Sequence, residues 1–253
     1  MLHHVFLLKG EFNLSRIAII SDIHGNLTAL ESVLKDIEKR GVDQIFCLGD
    51  LVGKGPRGSE CIQLVRKHCD KVIFGNWDVF IREQTDDIYI KWFQNHLTDE
   101  DFNYLANLPF HIEFELNGKL IRCFHASPRS AFERIAPEYH PMEKCLSLFH
   151  NSKETNSQHS KRTPDMVFYG DIHFTLLKNY EIGILCNVGS VGLDVIDATY
   201  VIVDGSYGTN SINFVRVPYD REAELRAAKE LGMPSYDLYY KDIMYDQIMV
   251  MKK

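Results

Sequence analysis

The sequence predicts an α/β protein, and three observations carry that prediction. Short apolar runs, Ile17–Ile20, Gln44–Leu48 and Lys71–Phe74, alternate with segments of helical periodicity. The first of these runs is continuous and rich in isoleucine, which is the pattern of a strand in a parallel sheet covered on both faces. Each run also gives way at once to a polar turn: Ser21 to Asn26, Gly49-Asp50, and Gly75 to Asp78. Sheets of this class build their sites at the carboxyl ends of the strands.

Along the chain, Leu27–Arg40 carries Leu30, Val33, Leu34 and Ile37 at helical spacing and meets a glycine stop at Gly41. After the second strand comes the glycine-rich loop GDLVGKGPRGS, whose Ser59 is the expected cap of a helix running to about Lys67. Thr98 and Asp101 resemble a capping box before a helix ending near Asn107, and Pro109 follows as a breaker. His111–Leu116 and Lys119–Phe124 flank Asn117-Gly118, a strong hairpin signal. Met142–Phe149 reads as helical, and the polar stretch Asn151–Pro164 as a mobile loop. Met166–Tyr169 is a further strand, ending in Gly170-Asp171-Ile172-His173. Leu176–Tyr180, Ile184–Cys186, Tyr200–Val203 and Ile212–Val217 read as meander strands around the turn Asn187–Gly192. Asp220–Leu231 is a helix stopped by Gly232. No repeat or linker interrupts the chain. Residues 1–253 are therefore expected to form one domain, with an extension at 1–14, an insert or lid at 126–164 and a helical tail at 219–253.

With 253 residues, 45% hydrophobic and 25% charged, the composition is that of an ordinary globular protein. A net charge of −7 argues against general nucleic-acid binding, which needs a basic stripe for phosphates. The six cysteines form no C-x-x-C pair and read as buried thiols of a reducing, cytoplasmic compartment. No stretch approaches the ~20 apolar residues of a membrane span. Oligomeric state is not legible, and a homodimer is open.

The strand-end residues form a set: Asp22 and His24 in D-x-H, Asp50 after Gly49, Asn76 and Asp78 in G-N-x-D, His125 alone, and His173 after Gly170. Oxygen and imidazole donors without thiolate, where they meet, suit manganese, iron, zinc, nickel or magnesium rather than a structural zinc site. In order and spacing the set resembles the calcineurin-like metallophosphoesterase superfamily from about Ile17 to Val217. SDIHGN, GNWD and NVGSVG are most similar to its bacterial phosphodiesterase branch. The stretch from Val217 to Tyr240 resembles the tail of bacterial asymmetrical diadenosine tetraphosphate hydrolases.

That resemblance implies a four-layer α-β-β-α sandwich of two mixed sheets flanked by helices, with two divalent metal ions at one sheet edge, manganese first among them. It assigns Asp22, His24 and His173 to the first metal, Asn76 and His125 to the second, and Asp50 as the bridge. Asp50, Asn76 and Asp78 become the catalytic candidates. The implied reaction is in-line attack on phosphorus by a hydroxide bridging the ions. The implied substrate is a small phosphorylated molecule, including nucleotides. A phosphodiesterase or dinucleoside polyphosphate hydrolase is the first reading. A phosphomonoesterase or protein phosphatase is the second, and a metal- or nucleotide-binding regulatory protein with weak catalysis the third.

Two departures from the family pattern matter. Trp77 stands where G-N-H-D members have histidine, and indole is a donor only, so no acid is offered there near pH 7. Asp78 is then left without a histidine to orient and is expected to brace the loop. Asp171 stands where G-H-x-H members have a metal-binding histidine. As a hard oxygen ligand it could serve the second metal, but it lowers the charge of the site by one unit. Lys54, Arg57 and Arg129 lie in loops that could border the site and touch phosphate, although each taken alone reads first as a solvated loop charge. The remaining histidines, His3, His4, His68, His96, His111, His140, His150 and His159, read as surface or packing residues.

Overall fold

The computed structural model describes residues 16–156 and 162–244. The extension at 1–14, His3, His4, His159, part of the polar loop and the end of the tail lie outside these residues. Strand β1 (Arg16–Ile20) leads into helix α1 (Leu27–Arg40), then β2 (Gln44–Cys47), α2 (Gly58–His68) and β3 (Lys71–Val72). The short helices α3 (Asn76–Phe80) and α4 (Ile88–Gln94) precede α5 (Asp99–Ala106). The hairpin β4 (His111–Leu116) and β5 (Lys119–Phe124) comes next, then α6 (Met142–Leu146) and β6 (Met166–Tyr169). Strands β7 (Thr175–Tyr180), β8 (Gly183–Val188), β9 (Ala198–Asp204) and β10 (Ser211–Val217) lead to α7 (Arg221–Glu230) and α8 (Tyr236–Ile243).

The strands form two five-stranded mixed sheets, ordered β10-β9-β1-β2-β3 and β4-β5-β6-β8-β7. Within the first, β1, β2 and β3 are parallel; within the second, β5, β6 and β8 are parallel. Strand alternation explains the layering. Ile17 and Ile19 face inward and meet Phe46, Val201, Val203, Ile121, Phe168 and Val188 between the sheets. Ala18 and Ile20 face outward against α1, whose Leu30, Val33 and Ile37 close the outer layer. The opposite sheet turns Phe124, Val167, Tyr169 and Leu185 outward onto Cys145, Leu148 and Phe149. A buried isoleucine such as Ile19 contributes roughly 2–3 kcal/mol by leaving water, so this double core dominates the stability of the fold.

Local chemistry sets most boundaries where the sequence puts them. Asn26 caps α1 by accepting from the Ala29 amide at 3.0 Å, and Gly41 ends it in the left-handed region. Thr98 and Asp101 form the capping box. Asn117 and Gly118 both have positive φ, as a two-residue hairpin turn requires. Three expectations are corrected. Ser59 is not the cap of α2: Arg57 holds that position, and Ser59 donates its hydroxyl to Asp101 at 2.7 Å. The third strand stops at Val72, because Phe74 bonds instead to the Pro109 carbonyl. The late strands are not one meander. β7 pairs with β8 in one sheet and β9 with β10 in the other, so the chain crosses between sheets at Gly189–Gly192.

Candidate metal centre

The parallel strands of both sheets send their carboxyl-terminal turns to one edge of the sandwich. There Asp171 donates its amide to Asp22 Oδ2 at 3.0 Å, joining the β6 turn to the β1 turn. Asp22, His24, Asp50, Asp171 and His173 all have φ between 50° and 67°. Non-glycine residues in such sparsely populated regions cost roughly 1–3 kcal/mol each and persist only when their surroundings hold them. The holders are visible. Asp22 donates its amide to the Gly49 carbonyl, and the Asp22 carbonyl accepts from Gly192 and from the Ser190 hydroxyl. Ser190 thus has a bracing part, consistent with a turn residue.

Two groups of side chains could each hold a cation: Asp22, His24 and His173, and Asp22, Asp50 and His125. In the first, His24 Nε2 and His173 Nε2 are 3.1 Å apart, and Asp22 Oδ1 lies 3.3 Å from His173 Nε2. In the second, His125 Nε2 lies 3.0 Å from Asn76 Oδ1. Asp50 Oδ2 stands between the groups, 3.4 Å from His24 Nε2 and 3.4 Å from His125 Nε2. The other oxygen of Asp50 accepts the Trp77 amide at 2.8 Å, which fixes the rotation of the carboxylate. His125 Nδ1 is bonded to the Leu48 carbonyl at 2.8 Å, so in the neutral imidazole Nε2 offers its lone pair to the centre. These residues fit a metal pair. The decisive observation is Asp22 Oδ1, a fully buried carboxylate oxygen aimed between two imidazoles without a hydrogen bond.

The electrostatics agree with a cation-binding cluster. Burial works against the Asp22 carboxylate, but His173, His125 and His24 hold it well below the usual carboxylate range. Burial, Lys54 and His173 push the His24 imidazole well below its usual value, so it is neutral and free to ligate. Burial also disfavours charge on His125, yet Asp50, Asp22 and Asp171 raise it to about 10. Among protein groups alone, a proton therefore occupies the nitrogen that a cation would take.

Asp78 is fully buried beneath the turns. Its carboxylate accepts the amides of Asp50, Leu51 and Gly75 at 2.8, 2.9 and 2.9 Å. Burial and the Asp50 charge raise its carboxyl to about 7 in spite of these donors. Through these three amides it braces the turns that carry Asp50 and Asn76. Trp77 is half-buried, edge-on to His24 at 6.2 Å and to Phe80 at 5.6 Å, with the Lys54 ammonium 5.8 Å from its ring centre.

Of the three loop cations, only Lys54 stays beside the centre. Arg57 is tied to Glu224 and Thr28, and Arg129 to Glu133 and the Ser147 carbonyl. The sequence reading missed Arg134, which forks Asp171: Nε lies 3.0 Å from Oδ2 and Nη2 lies 3.1 Å from Oδ1. Asp171 belongs to neither three-residue group, although its Oδ1 is 4.0 Å from His125 Nε2. The only available signal was its uncompensated charge. Of the remaining histidines, His68, His96, His111, His140 and His150 join neither group.

Residues 16–207 match the family model of the calcineurin-like phosphoesterase superfamily domain. The chain belongs to this superfamily. An uncharacterised protein of Methanocaldococcus jannaschii is 35% identical over 205 residues, 77% of this chain and 76% of its own. A symmetrical bis(5′-nucleosyl)-tetraphosphatase of Erwinia tasmaniensis is 30% identical over 114 residues, 41% of each chain. The crystal structure of a metallophosphoesterase from Sphaerobacter thermophilus superposes with a TM-score of 0.72 at 27% identity, covering 91% of this chain and 98% of that one. The chain is accordingly a phosphoesterase enzyme with the two-sheet sandwich of its superfamily. Among the described residues, no helix is long and apolar enough to cross a membrane.

Proposed function

We propose that this phosphoesterase hydrolyses phosphodiester or phosphoanhydride bonds at a pair of divalent cations, with dinucleoside polyphosphates as its substrate class. The observation that carries the reading is Asp50 Oδ2, equidistant from His24 Nε2 and His125 Nε2. One oxygen so placed is suited to be shared by two cations, with Asp22, His24 and His173 on one side and Asn76 and His125 on the other. Oxygen and imidazole donors without thiolate favour manganese as the native metal. When bound, such cations supply Lewis acidity to phosphoryl oxygens and acidify a water.

The chain's own residues orient and exclude. The Leu48 carbonyl sets the His125 tautomer, the Trp77 amide sets the Asp50 rotamer, and Asp78 holds both turns in register. Trp77 offers no acid to a leaving group. Phosphoanhydrides and activated diesters leave as weak bases and suit such a site. The similarity to a bis(5′-nucleosyl)-tetraphosphatase supports the same class. The six free cysteines support a reducing, cytoplasmic setting.

The test is a screen of the manganese-loaded protein over aryl and alkyl diesters, monoesters and dinucleoside polyphosphates. Turnover of dinucleoside polyphosphates and aryl diesters, with a steep dependence on leaving-group pKa, is expected. A protein that carries two manganese ions per chain and turns over none of them would refute the reading. A flat dependence, with chemistry rate-limiting, would place a general acid elsewhere in the site.

A further inference from the structure

Asp171 carries a charge that the two candidate metal groups do not use. Its side chain is 6% exposed, whereas that of its partner Arg134 is 59% exposed. Arg134 spends Nε and Nη2 on the two carboxylate oxygens, and Nη2 also donates to the Asp171 carbonyl at 2.6 Å. Nη1 makes no hydrogen bond among the described residues. The guanidinium is therefore held next to the His125 side through Asp171, whose Oδ1 is 4.0 Å from His125 Nε2, with more than half of its side chain exposed and Nη1 unspent.

The segment that carries Arg134 is built to keep it there. Ser127 accepts the amides of Arg129 and Ser130 and donates to Glu133 at 2.7 Å. Glu133 also binds Arg129 and Lys144. Immediately after Arg134, Ile135 and Ala136 are buried in the outer core. Anchors on both sides leave little conformational freedom to lose on binding, which favours affinity.

We propose that Arg134 is a substrate-binding residue: it takes a non-bridging oxygen of the phosphoryl group on the His125 side, and Asp171 holds it in position. The inference rests on the reading of this edge as a phosphoryl-transfer centre. Guanidinium is a charged donor suited to a phosphoryl oxyanion, and a fork already fixed on a carboxylate presents its remaining Nη1 N–H groups in one direction. A cation on the His125 side would draw on the Asp171 charge and leave Arg134 the more positive toward an incoming phosphate.

The experiment uses the manganese-loaded protein as wild type, Arg134→Ala and Arg134→Lys. Inorganic phosphate affinity is measured by calorimetry, manganese content by elemental analysis, and KM and kcat on an activated aryl diester. Arg134→Ala is expected to keep its manganese and to bind phosphate about ten- to a hundredfold more weakly, the loss of a charge-assisted pair. KM should rise with it. Arg134→Lys should recover part of the affinity, because it keeps the charge without the fork. Unchanged phosphate affinity in Arg134→Ala would overturn the proposal. So would a loss of manganese that accounts for the loss of phosphate, since Arg134 would then only brace Asp171. Wild type that binds phosphate through Arg134 yet cleaves no phosphoester would sink the proposed function and leave Arg134 as a phosphate-binding residue only.

Discussion

Two identical tripeptides face each other across the edge of the sandwich. Asp22-Ile23-His24 leaves β1 and Asp171-Ile172-His173 leaves β6, one from each sheet. Their backbones agree, with φ of 55° and 50° at Asp and His in the first and 67° and 65° in the second. Their histidines meet, Nε2 to Nε2, at 3.1 Å. Their carboxylates differ in role. Asp22 is fully buried and aims one oxygen at the imidazoles, whereas both oxygens of Asp171 are forked by Arg134. The same three residues in the same conformation thus do two things, and what separates them is a side chain from a distant loop. Local sequence sets the turn; the tertiary neighbour sets the chemistry.

The sharpest way to break this comparison is to neutralise each carboxylate in turn. Asp22→Asn should lower manganese-dependent turnover on the order of 10³-fold, the scale of losing a charged group aimed at the reacting centre. It should also lose at least one metal per chain. Asp171→Asn should cost less, on the order of 10- to 100-fold, the scale of removing a group that orients another. Metal content and kcat/KM on an activated diester check both. Equal losses in the two variants would mean that Asp171 is a ligand of the same rank as Asp22.

A third strand-end carboxylate, Asp78, sharpens the contrast because it touches only backbone. Asp78→Ala would leave the buried amides of Asp50, Leu51 and Gly75 without acceptors. A loss of about 3 kcal/mol of stability is expected, since each orphaned buried donor costs about 1–3 kcal/mol and water can reach some of them. Urea unfolding of the two proteins measures it. A variant as stable as wild type but inactive would place Asp78 in the catalytic set and not among the braces.

The two tripeptides differ in the residue that precedes them, Ser21 in one and Gly170 in the other. A Cβ on Gly170 would lie 2.1 Å from Ser21 Oγ and 2.5 Å from Asp22 Oδ2. The glycine is what lets the Asp171 amide reach Asp22. Gly170→Ala should destabilise by about 1–3 kcal/mol through overpacking and should lower activity by parting the turns. Adding Ser21→Gly removes the nearest clash and should restore part of the loss. If Gly170→Ala alone melts and turns over as wild type does, the turns are not held as closely as described.

The sequence was legible where chemistry is local. The runs Ile17–Ile20 and Met166–Tyr169, the Asn26 and Thr98 caps, and the Asn117-Gly118 turn are all set by residues within four positions of each other. The candidates Asp22, His24, Asp50, Asn76, His125 and His173, which the structure gathers at one edge, stood out for the same reason, because each lies within four residues of the end of an apolar run. What could not be read depends on distant partners. Ser59 looked like a cap until Asp101, 42 residues away, took its hydroxyl. Arg57 read as a loop charge, solvated or near phosphate, but Glu224, 167 residues on, holds it. Arg134 carries no local signal, and the meeting of β5 and β6 brings it onto Asp171, 37 residues later.

The gentlest probe of the comparison acts on the loop that separates the two carboxylates. Burial disfavours the Glu133 carboxylate, but Arg129, Lys144 and Ser127 lower it from the usual 4.5 to about 2. A carboxylate depressed in the folded state stabilises the fold above its unfolded pKa and stops doing so as pH falls through its folded one. The contribution of Glu133 should therefore be complete above about pH 4.5 and fade toward about pH 2. Because the cluster is partly exposed, the contribution is no more than ~1 kcal/mol. Glu133→Gln should be slightly less stable than wild type near neutrality, and the two should converge in acid, as urea titrations at several pH values would show. Phosphate affinity should fall by less than in Arg134→Ala, because Ile135 and Ala136 still anchor the loop beneath. A stability gap that stays constant down to the lowest pH would mean that the Glu133 cluster does not act through its charge. The placement of Arg134 over Asp171 would then rest on the buried anchors alone.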